Sequence, residues 1–470
     1  MGRLFGTDGA RGIANTELGC ELALQIGREF ATILAETEAP GKRPRVLLGM
    51  DTRASSPMLA MAMAAGLNSA GADAALTGVV PTPAVAHLTA QGSYSAGAMI
   101  SASHNPCEYN GIKLFRADGR KVADQTEERI EQMILDEPET ARPAQAGLSP
   151  CLSGAPTGGF VGRSGDCPGA LASYTAHLEA TVDPHLARDL AAQGIRRIAL
   201  DCANGSASVT APRLFTALGF DCAVLSAAPD GENINLACGS THIEALQSYV
   251  REHGTDAAFA FDGDADRLLA VDETGALVDG DKIIAICAGQ WLRENRLRGR
   301  TAVVTVMSNL GLFRFCEQRG IRCEVTAVGD RYVLEAMTAG GHSIGGEQSG
   351  HIIFSDYATT GDGQLTALQL LEVMRRTGRP LSSLAAEMET FPQKMINVRV
   401  SNLGKVRCAS DPEIALAVRR AEAELGGEGR VLVRVSGTEP LVRVMMEGRE
   451  AARIERLAEE LAEVVRERLL

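Results

Sequence analysis

Three aspartates at alternate positions, Asp262, Asp264 and Asp266, stand in the segment Asp262-Gly263-Asp264-Ala265-Asp266-Arg267, with apolar runs at 257–261 and 268–271 on either side. Like charges packed this closely repel one another unless a cation neutralises them. Carboxylate oxygens are hard ligands and suit Mg²⁺ or Ca²⁺ better than zinc. The spacing nearly writes a calcium loop of the EF-hand type, with Glu273 at the twelfth position, but the sixth position holds Arg267 where that loop needs glycine. The flanks also read as strands, whereas an EF-hand needs helices. A metal loop between two strands is the expectation.

Three further segments carry chemistry. In Ser101-Ala102-Ser103-His104-Asn105-Pro106, a serine at the end of a strand is exposed, and the backbone N–H groups after it can hold an anion. The same serine could instead be a helix N-cap. No G-x-S-x-G is present, and His104 is adjacent to Ser103, so a serine hydrolase is not indicated. Lys113, close downstream, is either a general acid/base, a phosphate clamp or a surface lysine; only six of the 46 basic residues are Lys. The loop Gly345-Gly346-Glu347-Gln348-Ser349-Gly350-His351 offers Glu347 and Ser349 between glycines, a surface suited to sugar hydroxyls. The last segment, Arg434-Val435-Ser436-Gly437-Thr438-Glu439-Pro440 followed by Arg443, reads either as a phosphate cradle with guanidinium forks or as a hairpin with chance arginines.

The elements that must position these loops form blocks. A chain of 470 residues exceeds what one hydrophobic core fills, so several domains are expected. Helices are expected over 18–37 and through residue 70, and strands over 45–50, 96–100 and 197–200. In the first three blocks an apolar strand is expected to end in a polar or Gly-rich turn that feeds a helix, the pattern of related doubly wound α/β units. The segment 141–168, rich in Gly, Pro, Ser and Ala, reads as a linker or surface insertion. From about residue 391, strands at 396–400, 431–435 and 441–446 with helices at 414–425 and 451–469 indicate an antiparallel sheet with helices on one face. The expected division is 1–160, with the serine loop; 161–255; 256–385, with the metal and sugar loops; and 386–470, a C-terminal α+β domain.

Composition removes several classes. A net charge of −13 argues against nucleic acid as a partner and requires local basic clusters for any anionic substrate. No apolar stretch reaches the length of a membrane span, and the start has no signal-peptide core, so no membrane partner is expected. The eleven cysteines are scattered without a C-x-x-C pair, which points to reduced thiols and a cytoplasmic setting. The sequence does not fix an oligomeric state, and a homodimer stays among the options.

The order Phe5-Gly6-Thr7-Asp8-Gly9-Ala10-Arg11-Gly12, then 101–106, 262–267, 345–351 and 434–440, resembles the α-D-phosphohexomutases over essentially the whole chain. Within that family, Val328-Gly329-Asp330-Arg331-Tyr332-Val333 and Gln348 are most similar to the branch acting on an amino-sugar phosphate. The resemblance implies three α/β domains and an α+β domain around a central active-site cleft, and phosphoryl exchange between O1 and O6 of a hexosamine phosphate. It implies a phosphate carried covalently on Ser103 and one Mg²⁺ held by Asp262, Asp264, Asp266 and Ser103. Arg11, Lys113 and Arg267 would supply positive charge, and His104 or Lys113 would handle a proton. Glu347 and Ser349 would read sugar hydroxyls, and Arg434, Ser436, Gly437, Thr438 and Arg443 would grip the non-reacting phosphate. Val435 departs from the Pro or Lys common in that loop but leaves the donors around it. The alternatives are a mutase of neutral hexose phosphates and a non-catalytic sugar-phosphate sensor. Ser103 should lie within one metal ion's reach of the aspartates, about 4 Å between oxygens across an ion.

Overall fold

The computed structural model describes residues 3–6, 8–39, 41–136, 156–436 and 440–469. Four sheets carry the chain. The first contains β1 (Phe5–Gly6), β2 (Gly9–Ile13), β3 (Arg45–Met50), β4 (Asp73–Val79), β5 (Ala96–Ile100), β6 (Tyr109–Arg116) and β7 (Ser164–Asp166), in the order β1-β2-β6-β5-β3-β4-β7. The second contains β8 (Arg197–Asp201), β9 (Asp221–Leu225), β10 (Ala257–Phe261), β11 (Leu268–Asp272) and β12 (Leu277–Val278), ordered β12-β11-β10-β8-β9. The third is β14 (Arg322–Thr326), β13 (Thr301–Thr305), β15 (Ile344–Gly346) and β16 (Ile352–Phe354), in that spatial order. Central strands such as β5, β10 and β13 are buried at every residue, because both faces are covered and neither can be polar.

The three sheets share one device. β5 runs parallel to β3 and then turns back into antiparallel β6. β10 runs parallel to β8 and turns back into β11. β15 runs parallel to β13 and turns back into β16. The serine loop, the metal loop and the sugar loop are the three hairpin tips, at residues 101–108, 262–267 and 347–351. This corrects the expectation that each turn feeds a helix. β3 and β8 do end in turns leading to helices, but the strands bearing the chemistry are followed by further largely buried strands that complete the sheet. It follows that Ser103 is not a helix N-cap.

Two boundaries also differ from the expected division. The metal loop, expected in the third block, is instead the hairpin tip of the second sheet, because β10 pairs with both β11 and β8. The segment 141–155 of the expected linker lies outside the described residues. Beyond it, β7 pairs in parallel with β4, which carries the first sheet to Asp166, past the expected boundary at 160.

The chain separates into two compact units, Met1–Val306 with Glu324–Ala385, and Met307–Cys323 with Ala386–Leu470. The second unit holds the antiparallel sheet β17 (Gln393–Arg399), β18 (Gly429–Val435) and β19 (Leu441–Gly448), ordered β17-β19-β18. The helix Ala451–Leu469 lays Ile454, Leu457, Ala458, Leu461, Ala462 and Val465 into its core at helical spacing. The helix Leu310–Arg319, expected within the third block, belongs to this unit: Asn309 accepts from Phe391 N–H at 3.0 Å, and Arg314 lies 4.9 Å over the Phe391 ring. Among the described residues no helix is long and apolar enough to cross a membrane, and the ten described cysteines are free.

Candidate active site

The metal loop is gripped by its backbone. Its consecutive carbonyls at Gly263, Asp264 and Ala265 accept N–H groups from Ser206 (2.8 Å), Thr82 (2.9 Å) and Gly363 (3.0 Å), which come from three parts of the chain. Thr82 opens the helix Thr82–Gln91 and Gly363 opens the helix Gly363–Thr377, so two helix N-termini face the carboxylates. Their dipoles favour negative charge there. The side chains of Asp262, Asp264 and Asp266 are buried, and one oxygen from each lies within 4.8 Å of the others.

The serine loop meets this loop directly. Ser103 Oγ donates to Asp262 Oδ2 at 2.6 Å, a direct hydrogen bond shorter than the about 4 Å expected between oxygens across an ion. Gly263 permits the approach: a Cβ there would stand 2.6 Å from the Ser103 carbonyl oxygen, and one at Gly205 would stand 2.3 Å from the Gly263 oxygen. Ser103 has φ of 52° and Ala265 of 58°, the left-handed region, which costs each of these residues about 1–2 kcal/mol. The surroundings impose it. Arg53 Nη2 donates to the Ser103 and Asn105 carbonyls, both at 2.8 Å, and Asn235 Nδ2 to the Ser103 carbonyl at 2.9 Å. Ser101 Oγ accepts the Ser103 N–H at 2.9 Å and donates to Asp51 at 2.7 Å.

Lys113, fully buried, is the counter-charge. Its Nζ reaches Asp264 at 3.0 Å, Asp266 at 3.1 Å and Asp8 at 3.3 Å. Burial disfavours its ammonium, but the three carboxylates outweigh burial and hold its pKa well above the usual lysine range. Burial works to raise Asp266, yet Lys113, with His351 and Arg267, holds it down at about 2. Asp262 lacks that partner, so burial and its two aspartate neighbours push it well up. His104 lies with Nδ1 at 3.5 Å from Ser103 Oγ, and burial, with the charges of Arg267 and Arg11, lowers it to about 4. Its ring is therefore neutral at pH 7. Thr82 Oγ1 donates to Asp264 Oδ2 at 2.6 Å, whereas Asp264 Oδ1 and Asp266 Oδ1 are buried and accept no hydrogen bond. Two orphaned buried carboxylate oxygens beside a third reluctant carboxylate fit a hard divalent cation.

Arg11 pairs with Asp8, and Arg267 Nε lies 4.0 Å from Asp266. Asp8 is also held by Lys121, which reaches Asp330 at 2.5 Å. The sugar loop joins the metal loop through Leu268 N–H, which donates to the Gly350 carbonyl at 3.0 Å. Glu347 Oε1 accepts the Gly329 N–H at 3.1 Å, and Ser349 is exposed. Glu273 spends its carboxylate on Ser382, away from the three aspartates. In the second unit, Arg434 and Arg443 stand opposite each other across β18 and β19, Ser436 N–H donates to the Leu441 carbonyl at 2.8 Å, and Gly437 and Thr438 lie outside the described residues.

Sequence reasoning missed Asp8, Asp51, Arg53, Thr82, Lys121 and Asn235 as parts of this cluster. Asp51 and Arg53 follow a strand end, as Asp262 does, and that position was the available signal. Thr82 and Asn235 have none, because their contacts span distant segments.

The chain matches all four domain models of the Phosphoglucomutase/phosphomannomutase group: alpha/beta/alpha domain I at residues 2–141, domain II at 172–275, domain III at 279–391 and the C-terminal domain at 395–464. Phosphoglucosamine mutase of Caldicellulosiruptor saccharolyticus is 48% identical over 470 residues, and that of Acetivibrio thermocellus 49% identical over 469; all of each chain is covered. Among solved structures, a phosphoglucomutase/phosphomannomutase family protein from Burkholderia thailandensis superposes with a TM-score of 0.78 at 23% identity, covering 100% of this chain and 99% of that one. Aspergillus fumigatus N-acetylphosphoglucosamine mutase, in complex with GlcNAc-6P and magnesium, gives 0.67 at 18% identity, covering 100% and 96%.

Proposed function

The chain belongs to the phosphoglucomutase/phosphomannomutase family, the α-D-phosphohexomutases, and from that premise we propose that it is a phosphoglucosamine mutase. As an isomerase it interconverts glucosamine 6-phosphate and glucosamine 1-phosphate through phosphorylated Ser103 and a glucosamine 1,6-bisphosphate, upstream of UDP-N-acetylglucosamine and cell-wall precursors. The observation that carries the chemistry is the 2.6 Å contact of Ser103 Oγ with Asp262 in a buried aspartate cluster.

Asp262, Asp264 and Asp266 would hold Mg²⁺ with an oxygen on Ser103, and the ion when bound supplies neutralisation of charge on the transferring phosphoryl group. The phosphorus–oxygen bond to Ser103 breaks as one to O1 of glucosamine 6-phosphate forms. The O1 proton passes to a neutral base, and His104, beside Ser103 Oγ, is the group placed for it. Lys113 stays an ammonium and serves as fixed positive charge, with Arg267 and Arg11, for a loose transition state that needs electrostatics and in-line positioning. The bisphosphate turns over, and its 6-phosphoryl group returns to Ser103. Glu347 and Ser349 read the sugar hydroxyls. Arg434 and Arg443 stand opposite each other across a ladder, two guanidinium forks brought to one face of the sheet. With Ser436, Gly437 and Thr438 they hold the non-reacting phosphate.

The test combines turnover and mass spectrometry. Glucosamine 6-phosphate should be converted far faster than glucose or mannose 6-phosphate, and a phosphate should appear on the Ser103 peptide after incubation with a hexose 1,6-bisphosphate. Ser103→Ala should abolish both. A wide preference for a neutral hexose phosphate overturns the substrate, and no phosphate on Ser103 turns the reading toward a sensor.

A further inference from the structure

We propose a second binding site, separate from the serine–metal cluster, that takes a small amphipathic anion and acts on that cluster through Lys121. The site is a cavity of about 350 Å³ between the turn after β6 and the helix Asp330–Gly340. That volume lies within the range of small-molecule sites, roughly 300–1,000 Å³. Leu334, Ala339, Ile353 and Ala123 give it apolar walls. Its cations are Arg116, Arg120, Lys121 and Arg331, against two carboxylates, Asp330 and Glu335. Three of these cations are already paired with carboxylates, on a chain of net charge −13, so among the described residues Arg120 is the lining cation left to attract an anion. Arg116 is tied to Asp118, and Arg331 to Asp124 and Glu335. The guanidinium of Arg120 has no ion-pair partner among the described residues; only its backbone N–H is spent, on Asp118. A fork of that kind suits a carboxylate, sulfonate or phosphate.

Arg116, in the cavity wall, lies at the end of β6 away from Ser103. β6 pairs with β5 so that Ile112 faces Ile100 at the serine end and Arg116 faces Ala96 at the other. Four residues of strand, about 13 Å, separate the two ends. The link between them is a chain of alternating charges. Lys121 bridges Asp330 and Asp8, Asp8 reaches Lys113, and Lys113 holds Asp264 and Asp266. An anion that draws Lys121 toward the cavity leaves Asp8 to take more of Lys113, and so loosens the hold of Lys113 on the metal carboxylates. Coupling of this kind needs a contiguous physical link, and these ion pairs are one.

The probe is 8-anilinonaphthalene-1-sulfonate, which joins a sulfonate to an aromatic body and fluoresces when it leaves water. It is titrated into the full chain with Mg²⁺ and saturating glucosamine 6-phosphate present. One saturable site is expected. Ala339→Trp, which fills the cavity from an exposed helix position, should weaken it about tenfold or more, and Arg120→Glu by several-fold. Both variants should keep basal turnover, and the probe should lower turnover of the parent about twofold or more but not that of Ala339→Trp. If Ala339→Trp does not fold, Thr338→Trp on the same turn fills the same space. Equal binding by parent and variants, or displacement by substrate, overturns the site. Binding without effect on turnover overturns the coupling. The binding arm does not depend on mutase activity, so failure of the proposed function is read separately.

Discussion

Arg53 shows how much of the chemistry rests on a residue that touches no reacting atom. Its guanidinium is fully buried, donates from Nε to Asp51 at 2.8 Å, and holds the carbonyls of Ser103, Asn105 and Pro106. Three carbonyls converge on one planar fork, and a lysine cannot match that geometry. Arg53→Lys should therefore leave the far-UV spectrum and the KM for glucosamine 6-phosphate near the parent's, while kcat falls roughly a hundredfold, the effect of an ångström-scale misplacement of the serine. A kcat equal to the parent's would show that the left-handed serine holds itself. Residue types marked the three aspartates, Ser103 and Lys113 in the sequence because their charge or position was unusual. Arg53 was one of forty arginines, and nothing in its neighbours announced three carbonyl partners.

Between elements, the helices Thr82–Gln91 and Ala170–Glu179 meet at a pair of stacked imidazoles. The rings of His87 and His177 lie 3.9 Å apart at 19°, and His177 Nε2 lies 3.0 Å from the Tyr357 carbonyl. Burial, with the charge of His177, lowers His87 to about 4. A histidine held neutral in the fold binds its proton more readily when unfolded. The stability it contributes is complete above its unfolded pKa, near 6.5, and is lost as pH falls from there toward about 4. The melting temperature should drop across that window, and His87→Phe should flatten the drop. An unchanged slope in the variant would assign the acid sensitivity elsewhere. The contact matters because the first of these helices begins at Thr82, which holds Asp264 by two hydrogen bonds. Element types were legible from apolar runs and breakers, down to the strands around the metal loop. Connectivity was less so. A strand ending in a polar turn precedes a helix at β3 and a strand at β5, and only the pattern of burial in the folded sheet separates the two.

At the scale of the whole molecule, the chain folds as two units, and the second recruits residues 307–323 from the middle of the sequence. Asn309 and Phe391 exchange two hydrogen bonds, at 2.9 and 3.0 Å, around a buried ring. Phe391→Ala should cost about 3–5 kcal/mol within that unit. Hydrogen exchange should then speed up both in the helix Leu310–Arg319 and in β17–β19, with β5, β6, β10 and β11 unaffected. Loss of protection spread evenly over the chain would contradict the division. The order of domains and the α+β character of the last were readable from strand spacing. The recruitment of 307–323 was not, since that helix has the same amphipathic pattern wherever its partner lies.

The backbone grip on the metal loop bears on how such a chain can be recombined. Gly263, Asp264 and Ala265 are each held by a different stretch of sequence, and Gly205 and Gly263 are empty of side chain because carbonyl oxygens occupy the space. A domain exchanged with a distant relative would keep its own fold yet arrive with the wrong neighbour at Thr82 or Gly363. Modularity here ends at the hairpin tips: the sheets are interchangeable parts, and the loops between them must be inherited as a set.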